Sequence, residues 1–227
     1  MPSTLAAAPG RHNYYNDEEF IRPDPARGTV RDAIGRRLVR ASADLLSALT
    51  DALEREGAAA GDVLYKVGRR WGDADFRAFA ERAPKEFGVS GLEQMHFRVM
   101  LESWRWPFTA AGWGTWRYDF RRARVGLPVV DLSDSVTVTG RAEKPVCHLY
   151  AGLFAAVFSG LAKRDLVGVE LQCAATGAEH CRFLVASAAK AGAALKLRDV
   201  GVPPEEILDQ LAAPPAAAPH PKGDAAQ

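Results

Sequence analysis

Three cysteines and one glutamate are the residues of this chain best suited to chemistry. Cys147, Glu170, Cys173 and Cys181 form the pattern C-x22-E-x2-C-x7-C, and no other cysteine occurs in the 227 residues. Thiolates and a carboxylate drawn from segments distant in sequence are a metal-ligand set. Cys147 stands at an expected helix start, where backbone N–H groups favour a thiolate. Cys173 and Cys181 stand at facing ends of an expected hairpin, beside Leu171 and Phe183 on its apolar side. Glu170 is the difficulty. Residues three apart on a regular strand point to opposite faces, so Glu170 and Cys173 can share an ion only where the strand is irregular. His148 and His180, each next to a cysteine, are alternatives for the fourth position. The set would also leave an excess of negative charge around Zn2+, for Arg182, Lys163 or backbone amides to offset. Spacing alone leaves two other readings open: three small buried thiols with an exposed glutamate, and a Cys173–Cys181 disulfide, which a reducing compartment disfavours.

A second constellation is aromatic. Trp104, Trp106, Trp113 and Trp116, four of the five tryptophans, crowd between an expected helix end and a strand, with His96 upstream on the helix. Aromatic walls with one or two polar tips suit a flat organic ligand. Tryptophans so spaced also serve to fill a helix–sheet core or a dimer interface.

These residues must be positioned by the elements around them. Residues 1–30 are polar and contain proline, and they read as an irregular arm. Apolar residues at helical spacing predict an amphipathic helix over 32–56, with Ile34, Leu38, Leu45, Leu49 and Leu53 on one stripe. Asp62 opens a second helix running through Trp71 to about Phe79 and ending by Pro84 or Gly88. A third runs from Ser90 or Gly91 to about Pro107. The period then falls to two, giving a strand at Trp116–Phe120 and another over 127–139 that breaks near Ser133–Ser135. Pro145 introduces a helix over 146–162 whose large face (Tyr150, Leu153, Phe154, Val157, Phe158) opposes a small one (Ala151, Gly152, Ala155, Ala156), so both sides should be buried. Leu166–Cys173 and Cys181–Ala186 form the last hairpin, turned with Gly177. Residues 188–227 are Ala/Pro-rich and read as a largely disordered tail with one short helix at Pro203–Leu211.

Composition narrows the function classes. A net charge of +1 argues against nucleic acid or an anionic membrane as partner. No apolar run is long enough to span a bilayer and no secretory leader is visible, so a cytoplasmic protein with reduced thiols is expected. No GxxxxGK[ST] phosphate loop and no GxGxxG after a strand occur. A complete ATP-driven activator and a self-sufficient nicotinamide-dependent reductase are therefore both unsupported, and any sensory output must pass to a partner protein.

The stretch VCHLYAGLFAAVFSGLAKRDLVGVELQCAATGAEHCRFLV, residues 146–185, resembles the C-terminal half of the 4-vinyl reductase domain. That family includes a bacteriochlorophyll-biosynthesis protein and the sensory domains of phenol-responsive activators. The resemblance implies an α+β fold over residues 31–187, with N-terminal helices packed on an antiparallel sheet as in TRAPP-type trafficking subunits, and a homodimer. In the phenol-sensing branch the Cys/Glu/Cys/Cys set binds structural zinc, which assigns Zn2+ to Cys147, Glu170, Cys173 and Cys181. It implies a strand irregularity near Leu171–Gln172. The same branch holds the phenol hydroxyl with a histidine and a tryptophan, which marks His96 and one of Trp104, Trp106, Trp113 and Trp116 as ligand contacts. The function expected is a zinc-stapled sensor or carrier for an aromatic or hydrophobic ligand. The alternatives are an oxidoreductase or accessory protein of tetrapyrrole 4-vinyl reduction, and a dimeric scaffold without ligand.

Overall fold

The computed structural model describes residues 20–57 and 59–213. Along the chain run β1 (Ile21–Asp24), β2 (Thr29–Asp32), β3 (Arg37–Leu38), α1 (Asp44–Arg55), α2 (Ala60–Phe87), α3 (Phe97–Ala110), β4 (Thr115–Asp119), β5 (Val129–Ser133), α4 (His148–Ala162), β6 (Val167–Gln172), β7 (Cys181–Ala186), α5 (Ala188–Asp199) and α6 (Pro204–Ala212). This is the expected α+β architecture. The main sheet is antiparallel throughout, ordered β4-β5-β7-β6, and a small sheet, β1-β2-β3, precedes it.

α4 is the centre of the molecule. Every residue from Leu149 to Phe158 is buried, because the sheet covers one side of the helix and α2 the other. The small residues on its face make this approach feasible. A Cβ on Gly152 would stand 2.1 Å from the Tyr65 carbonyl oxygen, and one on Gly68 of α2 only 1.9 Å from that of Leu149. α2 is a single 28-residue helix. It tolerates Pro84 in its last turn, and Gly88 closes it at φ 66° while the Val89 N–H donates to the Pro84 carbonyl.

The sheet has two apolar faces. Val130, Leu132, Phe183 and Val185 face α4, together with Trp104, Phe108, Trp116, Cys147, Cys173 and Cys181. Val129, Val169, Leu171 and Leu184 face the other way, onto Ala191 and Ala194 of α5 and Ile207 and Leu208 of α6. The expectation of a largely disordered tail from residue 188 is thus corrected through residue 213. Ser187 caps α5 by accepting from the Lys190 N–H, and alanines let that helix lie close on the sheet. The short helix expected at Pro203–Leu211 is α6, and residues 214–227 lie outside the described residues.

Two further expectations are corrected at the N-terminus. Residues 21–30 are not irregular but belong to the small sheet, while residues 1–19 lie outside the described residues. The helix expected over 32–56 begins only at Asp44. Gly35 takes φ 82°, and the Asp32 carboxylate accepts from the backbone N–H groups of Ile34 and Arg36, a local turn that competes with helix. No residue of α1 is buried, and Leu45 and Leu49 are exposed.

Candidate metal centre and aromatic core

Cys147 occupies the N-cap position of α4, after a loop that leaves β5 with Asp134 at φ 54°. Cys181 opens β7, and Cys173 follows β6 directly. The strand-parity difficulty is resolved by a bulge. Val169 pairs with Leu184 and Glu170 with Phe183, but Gln172 pairs with Arg182, so one extra residue is absorbed between Glu170 and Gln172. Leu171 consequently faces α5 and α6 rather than sharing a side with Phe183 and the cysteines, which corrects the simple alternation. Glu170 and Cys173 are thereby returned to the α4 face.

All four side chains are buried, and one ligand atom from each lies within 4.8 Å of all the others. The sulfur separations are 3.4 Å for Cys147–Cys181, 3.9 Å for Cys173–Cys181 and 4.0 Å for Cys147–Cys173. These separations exclude a disulfide and bracket the edge of about 3.8 Å in a tetrahedron of Zn–S bonds. Glu170 Oε2 accepts the Cys147 N–H at 2.9 Å, whereas the buried Oε1 has no hydrogen-bond partner. An orphaned carboxylate oxygen beside three thiols is the donor set a divalent cation would satisfy. Around it, Thr137 Oγ1 donates to Cys147 Sγ at 3.2 Å and the Ala174 N–H to Cys181 Sγ at 3.3 Å. A hydroxyl and a backbone amide thus do the charge offsetting. Arg182 is committed to Asp131 and Glu205, and Lys163 is exposed at the end of α4. His180 lies 3.4 Å from Asp131, and the His148 ring lies against Gly61, so neither belongs to the cluster.

Proton binding at the cluster follows from its burial. Hydrogen bonds to Cys173 and Cys181, with desolvation, hold the Cys147 thiol far above the usual range. Cys173, which accepts from Cys147 and Cys181, lies far below it. Burial and the Cys173 charge push Glu170 up to about 8 from 4.5. Glu170 therefore keeps a proton in the folded chain that the unfolded chain has lost, and its contribution to stability fades as pH rises toward 8. Cys173 has the opposite slope, since its contribution fades as pH falls. Between about 4.5 and 8 the two oppose each other. Metal binding removes the remaining thiol protons. Metal-loaded protein is therefore expected to lose stability from about pH 8 to about pH 6, by roughly 1.4 kcal/mol per pH unit for each thiol proton displaced. Chelated protein should change little; melting curves at fixed total metal across that range check this.

The tryptophans form a chain of rings rather than an open pocket. Trp104 and Trp116 are both buried, with centroids 5.6 Å apart, and Phe108 completes a triangle with them. Trp116 continues to Phe154 at 5.3 Å and Phe154 to Phe183 at 5.2 Å. The polar tips are satisfied within the core. Trp116 Nε1 donates to the Tyr118 hydroxyl, which donates to the Leu101 carbonyl, and Trp104 Nε1 donates to Asp75 Oδ2 at 2.9 Å. Asp75 also accepts from Arg36, whose Nε donates to Asp32 at 2.8 Å. Trp113 packs on Trp71 at 4.6 Å and lines a cavity of about 300 Å³ with Asp75 and Pro107. Trp106 is half-buried on α3. His96 is exposed at the N-cap of α3, one residue before Phe97.

A larger apolar cavity, of about 490 Å³, opens beside this core. Phe97, Phe120, Phe158, Leu161, Leu166 and Val185 form its walls. Sequence reasoning missed it, and missed Asp75 and Arg36, because each depends on contacts between elements far apart in the chain. The aromatic repeat Trp116, Tyr118, Phe120 was the one available signal.

Residues 128–187 match the model of the 4-vinyl reductase domain. No curated protein matches. Among solved structures, the phenol-responsive sensory domain of the transcription activator PoxR, with phenol, has a TM-score of 0.58 at 19% identity, covering 86% of this chain and 92% of that one. A vinyl-4-reductase family protein from Methanocaldococcus jannaschii has a TM-score of 0.40 at 18% identity, covering 62% of this chain and 75% of that one. Among the described residues no helix is long and apolar enough to cross a membrane. The metal cluster thus lies inside the segment that matches the 4-vinyl reductase domain, and over most of its length the chain has the fold of the PoxR sensory domain.

Proposed function

We propose that this chain is a small-molecule-binding sensor or carrier module whose last helix and hairpin are stapled by a structural Zn2+. The observation that carries the reading is the apolar cavity between α3, α4 and the β4–β5 connection, adjoining a ring-lined core. Its size and walls suit an aromatic or hydrophobic ligand, and the PoxR domain was solved with phenol. His96, exposed at the rim beside Phe97, is the group offered to a polar tip of the ligand, and Trp116 and Trp104 supply the rigid floor behind it. Trp113 and Trp106 lie farther along the same helix and loop. Zinc at Cys147, Glu170, Cys173 and Cys181 would be closed by four protein ligands, so it supplies folding energy and no open position for substrate.

Native mass spectrometry of protein purified without added ligand, followed by titration with phenols monitored by tryptophan fluorescence, tests the reading. A retained organic mass or saturable binding supports it; neither, across phenols and tetrapyrroles, overturns it.

The module acts as a dimer in this reading, supported by α1. Its apolar stripe finds no burial within the described residues, which is the pattern of a helix completed by a second copy. Leu45→Asp with Leu49→Asp is expected to yield a monomer in sedimentation equilibrium, with the chain still folded.

A further inference from the structure

Resting on the ligand-binding reading, we infer that the cavity walled by Phe97, Phe120, Phe158 and Leu161 selects an organic anion, an aromatic or aliphatic body carrying a carboxylate, sulfonate or phosphate. The walls account for the body. The rim accounts for the charge. Arg98 and Arg164 both line the cavity, and among the described residues no aspartate or glutamate does. Arg164 Nη2 stands 3.8 Å from the position a Cβ would take on Gly126, which places the guanidinium across the wall formed by the β4–β5 connection.

Neighbouring acids are committed elsewhere. Asp165, next in the chain, bonds Arg69 at 2.6 Å. Asp119 bonds Arg121, and Asp209 bonds Arg122. Lys190 Nζ donates to the Val125 carbonyl at 2.6 Å, adding a further positive charge to the same turn. Other cavities of the molecule carry a carboxylate beside each cation: Asp51 with Arg141, Glu93 with Lys163, and Asp75 with Arg36. An apolar hollow whose charged rim is wholly cationic disfavours an organic cation and leaves two guanidiniums for an anion to satisfy. Both arginines are exposed, so they are free to turn onto a bound group, and Phe97 is 46% exposed at the entrance.

A matched pair of probes isolates the charge. Anilinonaphthalenesulfonate and neutral phenylnaphthylamine share one apolar body, and both report binding by fluorescence. The sulfonate is expected to bind about tenfold more tightly, with the excess lost at high salt. Arg98→Gln and Arg164→Gln should each weaken the sulfonate about fivefold or more and leave the neutral probe unchanged. Phe97→Ala should weaken both, which locates the site. Equal affinity for the two probes, or sulfonate binding that neither arginine variant alters, overturns the inference. Binding of the neutral probe or of phenols alone would do so while leaving the ligand-binding reading intact. No binding by any of them would remove that reading as well.

Discussion

Cys173→Ser protein is expected to hold no stoichiometric metal and to melt far below the parent, at the temperature the parent reaches after chelation. Cys173 lies within 4.0 Å of both other sulfurs and follows the bulge that also delivers Glu170. A serine hydroxyl does not ionise near neutral pH and cannot replace a thiolate on zinc. Structural zinc contributes about 10 kcal/mol or more in small zinc-dependent peptides. This chain has a second core behind the sheet and should lose only part of that, at least about 3 kcal/mol. Elemental analysis and urea denaturation measure the two losses. Repeating the substitution in chelated protein should add little, since the contact it removes is already gone. Parent protein that melts identically with and without metal would sink the staple.

The second large effect lies where no chemistry occurs. Gly68→Ala should cost about 3 kcal/mol or more, or prevent folding, because the new methyl would stand 1.9 Å from the Leu149 carbonyl oxygen, which is backbone and cannot rotate away. α2 and α4 would have to separate. That movement reaches the metal cluster directly, since Leu149 lies two residues after Cys147. Gly192→Ala is the control. Gly192 lies within α5 with nothing within 4 Å of the added Cβ, so the same chemical change should be neutral or stabilise by up to about 1 kcal/mol. Chemical denaturation of the pair separates crowding from helix propensity.

What the sequence reveals about this molecule follows the range of the forces involved. α4 is legible because its large and small residues alternate at helical period. The last hairpin is legible because Cys173, Gly177 and Cys181 bound a short turn between two apolar runs. The metal set is legible once a resemblance assigns it, and the strand-parity conflict at Glu170 correctly points to the bulge. The first thirty to fifty residues are misread for an identifiable reason. Ile34 and Leu38 continue the apolar stripe of α1, but Asp32 captures the local N–H groups and Gly35 takes a positive φ, so periodicity yields to turn chemistry. α5 is missed because an alanine-rich segment has little amphipathic pattern. Its burial comes from fit against Val169 and Leu184 of the sheet. The open cavity has no sequence signature at all, since its walls come from Phe97, Phe120, Phe158 and Val185, which stand far apart in the chain.

The Asp75 carboxylate, shared between Arg36 and the Trp104 indole, joins the N-terminal sheet to the ring-lined core through one side chain. An event on either side of that joint changes the polarity felt by a tryptophan. The protein therefore carries its own optical gauge: detachment of the small sheet, or repacking of the core around a ligand, should register in the emission of Trp104, with no label attached.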